Sequence, residues 1–431
     1  MKTKKLVSIL ITFALVISLF SGFTLQTKRA TGPVKFDFWG GWTGPDAETM
    51  WSLVNKYNTS QDKVNVTFTS LQWTPLFAKF LTEMKGGTPP NVLAMHPFEI
   101  GQFVEMGVLD PATVKLMNMN AKEYSAYAWN STKYKNIQYG VPLDVHMHAV
   151  FYNKSMYAKA GITTIPSTGK QLIDIAQKLT IDKNGKHPNQ KGYDENNVVQ
   201  YGLGFAMNHH VFYQIYALIN QQGSNPFTET MTSLNLDINK TAKAIQFIED
   251  LIYKYKVVPK GEKSSVDDFI SSKVAMIIDG PWQIPKVQKA TFKWGTTPYP
   301  RVFDKQVAWG AAELLTFPMN KNADASQKQA AVDFVKWIDA NSGAWAASGQ
   351  LPASKAGMAV AKTMPGRIAF IGSLANNSVL LPANPKATQI FSSVAPSPIL
   401  TAAQDAVLNN KNATDIAKQL KKDIDAILAD N

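Results

Sequence analysis

Two tryptophans around a glycine pair are the groups in this sequence best equipped for ligand capture, and three well-separated carboxylates are those that could do acid/base chemistry. The stretch KFDFWGGWTGPDAE, residues 35–48, sets Trp39 and Trp42 on either side of Gly40 and Gly41. An indole offers a flat apolar face and one N–H, which suits the C–H face of a sugar ring, and glycines let backbone come close to hydroxyls. Asp144, Asp279 and Glu313 have the chemistry of a glycosidase acid/base pair, whose operation depends on a separation that sequence does not give. His209 and His210 have no third ligand at metal spacing, so neither metal nor cofactor is expected. No G-x-S-x-G, G-x-x-x-x-G-K-[ST], H-E-x-x-H or strand-linked G-x-G-x-x-G occurs. The balance favours binding over catalysis, and the chain is read as not an enzyme.

These groups must be carried by an α/β framework. Short apolar runs at 34–38, 64–68, 91–95, 149–152, 275–278 and 309–314 predict buried strands. Between them, Met50, Leu53, Val54 and Tyr57 share a helical face, as do Ile245, Ile248, Leu251, Ile252 and Tyr255, and later Ile416, Leu420, Ile424 and Ile427. Alternation of strand and helix predicts α/β layers, and the length predicts two domains. Thr43-Gly-Pro-Asp46 has the form of a capping box opening the first helix, which places both tryptophans in a strand-to-helix loop at the carboxyl end of the first strand. The polar stretch 182–197 reads as a surface loop. Its Asp-x-Asn-Gly start resembles a calcium loop, but Lys186 and His187 stand where oxygen ligands belong.

Lys2, Lys4 and Lys5 precede an apolar run over 6–20, the pattern of an export signal within residues 1–30, with cleavage between Ser21 and Gly32. No Cys is present, so lipidation, disulfides and a thiolate nucleophile are excluded; Phe23 stands where a lipoprotein signal would carry its cysteine. The formal charge is +12, three units of which belong to those first lysines. With only Arg29, Arg301 and Arg367 to supply bidentate forks, and lysines scattered over helix faces, nucleic acid is not an expected partner.

Five segments in order resemble the bacterial extracellular solute-binding proteins of family 1, the sugar-capturing subunits of ABC importers: FWGGWTGPDAETMWSLVNKYN, GGTPPNVLAMHPFEIGQFVEMGVLDP from Gly86, VPLDVHMHAVFYNKSMYAKAGITTIPSTGKQL from Val141, VAMIIDGPWQI from Val274, and VKWIDANSGAWAASGQLPASKAG from Val335. The resemblance implies a periplasmic-binding-protein-like fold of two lobes, 33–142 plus 294–341 and 143–293 plus 342–431, joined by crossing strands around a ligand cleft. It implies an exported, monomeric protein that closes on a carbohydrate, an oligosaccharide given the several aromatics, and delivers it to the permease subunits of an ABC transporter. The candidate ligand-binding residues are Gly41, Trp42 and Thr43; His96 and Glu99; Asp144 and His146; Gly280 and Trp282; Trp309, Gly310 and Glu313; and Trp345. Trp42 and Trp282 are the expected stacking platforms, while Trp73, Trp129, Trp294 and Trp337 are assigned to packing. Glycerol phosphate or a polyamine as solute, and an exported glycan-active enzyme, are the alternative readings.

Overall fold

A computed structural model describes residues 32–430 apart from 228–232, 262–263 and 375–376; the predicted export signal lies outside the described residues. Two α/β lobes are built on separate sheets. The larger runs, from one edge to the other, through the strands Leu351–Pro352, Gly140–Met147, Ala308–Thr316, Val92–Met95, Val34–Gly40 and Val64–Ser70. The smaller places Ala149–Asn153 between Met276–Asp279 and Trp294–Pro298, antiparallel to both. Among the described residues no helix is long and apolar enough to cross a membrane.

The predicted helical faces are core faces. Met50, Leu53, Val54 and Tyr57 are buried on Pro45–Thr59, and Ile245, Ile248, Leu251 and Ile252 on Ile238–Tyr253, where Tyr255 falls just past the helix end. Ile416, Leu420 and Ile424 bury the terminal helix Ala413–Ala429 against the smaller lobe, with Ile427 at the margin. A single hydrophobic network in that lobe gathers this helix with Ile238–Tyr253, His210–Gln221 and Pro398–Val407. The larger sheet is sandwiched between two networks, one holding Trp42 and Trp345 and the other Trp39 with Leu76, Phe77 and Phe80.

Four expectations require correction. Trp39 lies inside the strand Val34–Gly40, opposite Leu93, because the ladder continues through Gly40. The first helix starts at Pro45 with Gly44 as its cap, and Thr43 makes no capping bond; Asp46 instead accepts from the N–H groups of Gly44 (3.1 Å) and Ala47 (2.9 Å). Trp294–Pro298 pairs with Ala149–Asn153, so the chain returns to the larger sheet at Ala308 and not at Trp294. The segment that opens at Ser342 sends Trp345 into the core of the larger lobe, 5.2 Å from Trp42 ring to ring, and not into the second lobe expected for 342–431.

Gly140–Met147 and Ala308–Thr316 tie the lobes together. Both are buried throughout, and only His148 separates the former from the central strand of the smaller sheet. Their antiparallel register slips between Glu313 and Leu314: Glu313 pairs with Asp144 while Leu314 pairs with Pro142. Pro142 has no N–H to give the ladder, a reason for the irregularity to fall there.

Candidate functional site

A cleft of about 570 Å³ opens between the lobes. The larger lobe lines it from the loop after its first strand (Gly41 to Asp46), from Gln72, Trp73 and Thr74, and from the start of the helix Pro97–Glu105. The smaller lobe contributes Asn208 to His210, Tyr213, Trp282, Gln283 and Lys286, and the crossing strands contribute His146, Trp309 and Glu313. Of the candidates, Gly41, Trp42, Thr43, His96, Glu99, His146, Trp282, Trp309 and Glu313 are thus brought together. Asp144, Gly280, Gly310 and Trp345 stand behind the lining.

Trp42 is not an open platform. It is 1% exposed, wedged among Phe38, Phe68, Trp73 and Trp345, and its Nε1–H donates to Glu313 Oε2 at 2.7 Å. The Ser70 hydroxyl donates to its carbonyl. Its role at the cleft is to back Trp73, which sequence reading assigned to packing and which is only partly buried. A side chain at Gly41 would collide with the Trp73 ring, so the glycine lets that indole lie across the loop. Across the cleft Trp282 is likewise partly exposed, edge-on to His146 (5.4 Å) and His148 (6.2 Å). Gly280 does for Trp282 what Gly41 does for Trp73. Asp279 holds the turn by accepting from Gly280 N–H (2.8 Å) and Gln283 Nε2 (3.2 Å), and burial pushes its carboxyl up to about 7.

Behind the wall, Asp144 accepts from Trp345 Nε1 (2.6 Å) and from the Glu313 backbone N–H (3.2 Å), so Trp345 is a buried strut. A Cβ on Gly310 would meet the Tyr127 hydroxyl, not the cleft. His96 and Glu99 close the first turn of their helix on one another, with His96 N–H donating to Glu99 Oε2 at 2.9 Å.

His148, and its pairing with the His209-His210 doublet, is the feature that sequence reading missed. His148 Nε2 lies 3.1 Å from His210 Nδ1, and Trp309 stacks on Tyr213 at 4.3 Å and 3° beside them. Burial depresses the basicity of His146, takes His148 to about 3 and His209 to about 4, and holds His210 well below the usual histidine range. Neutral imidazoles at pH 7 each present one donor and one acceptor. The His-His doublet was the available signal, but its partner His148 is sixty-two positions away in sequence. By contrast the loop 182–197 is self-contained: Asp182 accepts from the N–H groups of Asn184, Lys186 and Asp194 at 2.8 Å each.

Comparison with known proteins accords with this geometry. A family model described as bacterial extracellular solute-binding protein matches residues 41–344. The maltotriose-binding protein of Pyrococcus abyssi is 24% identical over 315 residues, covering 72% of this chain and 63% of that protein. The maltodextrin-binding protein MdxE of Bacillus subtilis is 26% identical over 263 residues, covering 59% and 57%. The chain therefore spans less than two thirds of the length of these curated relatives. The maltose/maltodextrin-binding domain MalE from Bdellovibrio bacteriovorus bound to maltotriose superposes with a TM-score of 0.76 at 19% identity, over 91% of this chain and 99% of that one.

Proposed function

This chain belongs to the bacterial extracellular solute-binding protein family, and from that premise we propose that it captures an oligosaccharide in the interlobe cleft and delivers it to the permease of an ABC importer. The observation that carries the reading is a cleft with a partly exposed indole on each lobe, Trp73 and Trp282, whose carboxyl groups and single lysine are already engaged within the protein itself. Glu99 is engaged by His96, Asp46 by its helix start and Glu313 by Trp42. Lys286, the one Lys or Arg among the lining residues, pairs with Asp267 at 2.9 Å. A phosphate would want free cations and a polyamine free carboxylates; a neutral polyol needs what remains, namely apolar ring faces, neutral imidazoles, hydroxyls and amides. The volume lies within the range of small-ligand pockets, roughly 300–1,000 Å³, with room for more than one pyranose ring.

The mechanism is capture. A solute touching both walls stabilises the closed arrangement, and that arrangement engages the permease. We take the hinge to be the register slip at Pro142, Asp144, Glu313 and Leu314, with the lobes divided there and the protein exported and monomeric. Trp73, Trp282, His96, His146, His209 and Trp309 are the proposed ligand contacts, with Gly41 and Thr43 offering backbone and hydroxyl groups. Binding without turnover is the proposed activity, in keeping with relatives that are binding proteins.

The test is tryptophan fluorescence titration with mono-, di- and oligosaccharides including maltotriose, with glycerol phosphate and spermidine as competing classes. A saturable change with an oligosaccharide that is recovered chemically unaltered supports the reading. Trp282→Ala should then weaken binding tenfold to a hundredfold, about 1.4–2.8 kcal/mol for one lost stacking face. Saturation by glycerol phosphate or spermidine alone would overturn it.

A further inference from the structure

Beneath the cleft floor, four side chains from four segments form two hydrogen-bonded pairs whose carboxyl groups face one another. Trp345 donates to Asp144 Oδ2, Trp42 donates to Glu313 Oε2, and Asp144 and Glu313 sit directly opposite one another on the crossing strands. Both carboxyls are buried, Asp144 completely and Glu313 to within 3%. The groups facing them are Asp46 from the first helix, a further negative charge, and His146 from Asp144's own strand, 3.4 Å from Asp144 Oδ1 and kept neutral by burial, with His96 beyond it. No lysine or arginine forms an ion pair with either carboxyl among the described residues; the contact is His146 alone. Two carboxylates cannot both stay ionised so close together without a cation.

We propose that Glu313 is a positioning residue carried as a neutral carboxylic acid, donating its hydrogen to Asp144 while accepting from Trp42. One buried proton thereby fastens the larger lobe's cleft wall to the strand crossing. The division of labour follows from the donors each carboxyl meets. Asp144 receives two donors, the Trp345 indole and the Glu313 backbone N–H. Glu313 receives one indole N–H, the smaller share, and its acidity is weakened first by burial and then by the Asp144 charge. Because Trp42 backs Trp73, this proton sets the plane against which a solute would lie. The inference does not depend on the solute being a sugar.

Asp144, His146 and Glu313 also bring ligand atoms within 4.8 Å of one another, so a cation is the competing way to discharge the pair. The experiment is urea unfolding of EDTA-treated wild type, Glu313→Gln and Glu313→Ala from pH 5 to 9 without sugar, with tryptophan emission recorded at each pH. Glutamine keeps the neutral donor and acceptor. The folded state of the wild type holds a proton that the unfolded state has released above pH ~4.5, so its stability falls as pH rises towards the folded-state pKa. The expected result is a wild-type unfolding constant that rises up to tenfold per pH unit relative to Glu313→Gln, which lacks this proton. Glu313→Gln keeps the wild-type emission maximum at pH 6, and Glu313→Ala shifts it. Should the alanine variant not fold, the glutamine comparison decides alone. Parallel pH profiles for wild type and Glu313→Gln would overturn the proposal. So would a wild-type stability raised by Mn²⁺ or Zn²⁺ but not in Glu313→Gln, which would make the pair a cation site.

Discussion

Gly310→Ala probes the seam where the crossing strand Ala308–Thr316 meets its neighbours. A Cβ there would lie 2.5 Å from the Tyr127 hydroxyl, 3.0 Å from Ser378 Cβ and 3.3 Å from the His146 carbonyl oxygen. Ordinary contact begins near 3.4 Å, so Tyr127 must retreat by about 0.9 Å and the short strand Ser378–Val379, paired to Ala308 and Trp309, by about 0.4 Å. Overpacking of this kind costs about 1–3 kcal/mol, against which the less flexible unfolded chain returns about 0.4–1, leaving a net loss of about 1–2 kcal/mol. Urea unfolding of the single variants and of Gly310→Ala/Tyr127→Phe measures it as a double-mutant cycle. Removing the hydroxyl removes the worst contact, so the two changes should couple favourably by at least ~0.5 kcal/mol. Gly372→Ala is the control: it lies in the helix Ile368–Leu374 with no atom within 4 Å of the added carbon, and should gain about 0.5–1 kcal/mol. Strict additivity with Tyr127→Phe would refute the steric argument.

Other perturbations test the remaining supports. Burial raises the Asp279 pKa to about 7 from a usual 3.8, so the folded state retains a proton that the unfolded state loses, and stability falls as pH rises through that window; Asp279→Asn should remove about 1.4 kcal/mol per pH unit of this dependence, read from urea midpoints at pH 5, 6 and 7. Trp42→Phe deletes the Nε1–H bond to Glu313 and should cost about 1–3 kcal/mol in the same assay. Arg367, fully buried, donates from Nη1 to the Pro365 carbonyl and from Nη2 to the Ala346 carbonyl, each at 2.7 Å; Arg367→Ala should cost about 3–5 kcal/mol in thermal and urea unfolding, by leaving both carbonyls and a cavity.

Where periodicity was the signal, the sequence was legible. Each of the six predicted strands is present, because a run of buried apolar residues between turn residues has few other uses. Periodicity did not reveal the crossing strand Gly140–Met147, which only the family resemblance implied: Pro142, Asp144 and His146 interrupt its apolar character, and its ladder is supplied by a partner some 170 positions away. The capping box failed for a local reason, since Asp46 bonds within its own turn and Thr43 is left to the cleft.

The order of five segments, through their resemblance to a known family, was enough to indicate the family and the two-lobed α/β class, and with the motif absences to set the expectation of capture over catalysis. All are properties of pattern, which sequence carries in full. Only the tertiary structure decided which aromatic faces the solvent. Trp42 and Trp73 have the same chemistry and comparable loop-edge settings, yet one is sealed and the other lines the opening, because Glu313 reaches Trp42 from 271 positions away and Gly41 makes room for Trp73. The charge state of the cleft was decided the same way. An isolated Glu or His has an ordinary pKa, and it takes neighbours brought together by folding, and the water they exclude, to push the Glu313 carboxyl well above its usual range and to depress the basicity of His146, His148, His209 and His210.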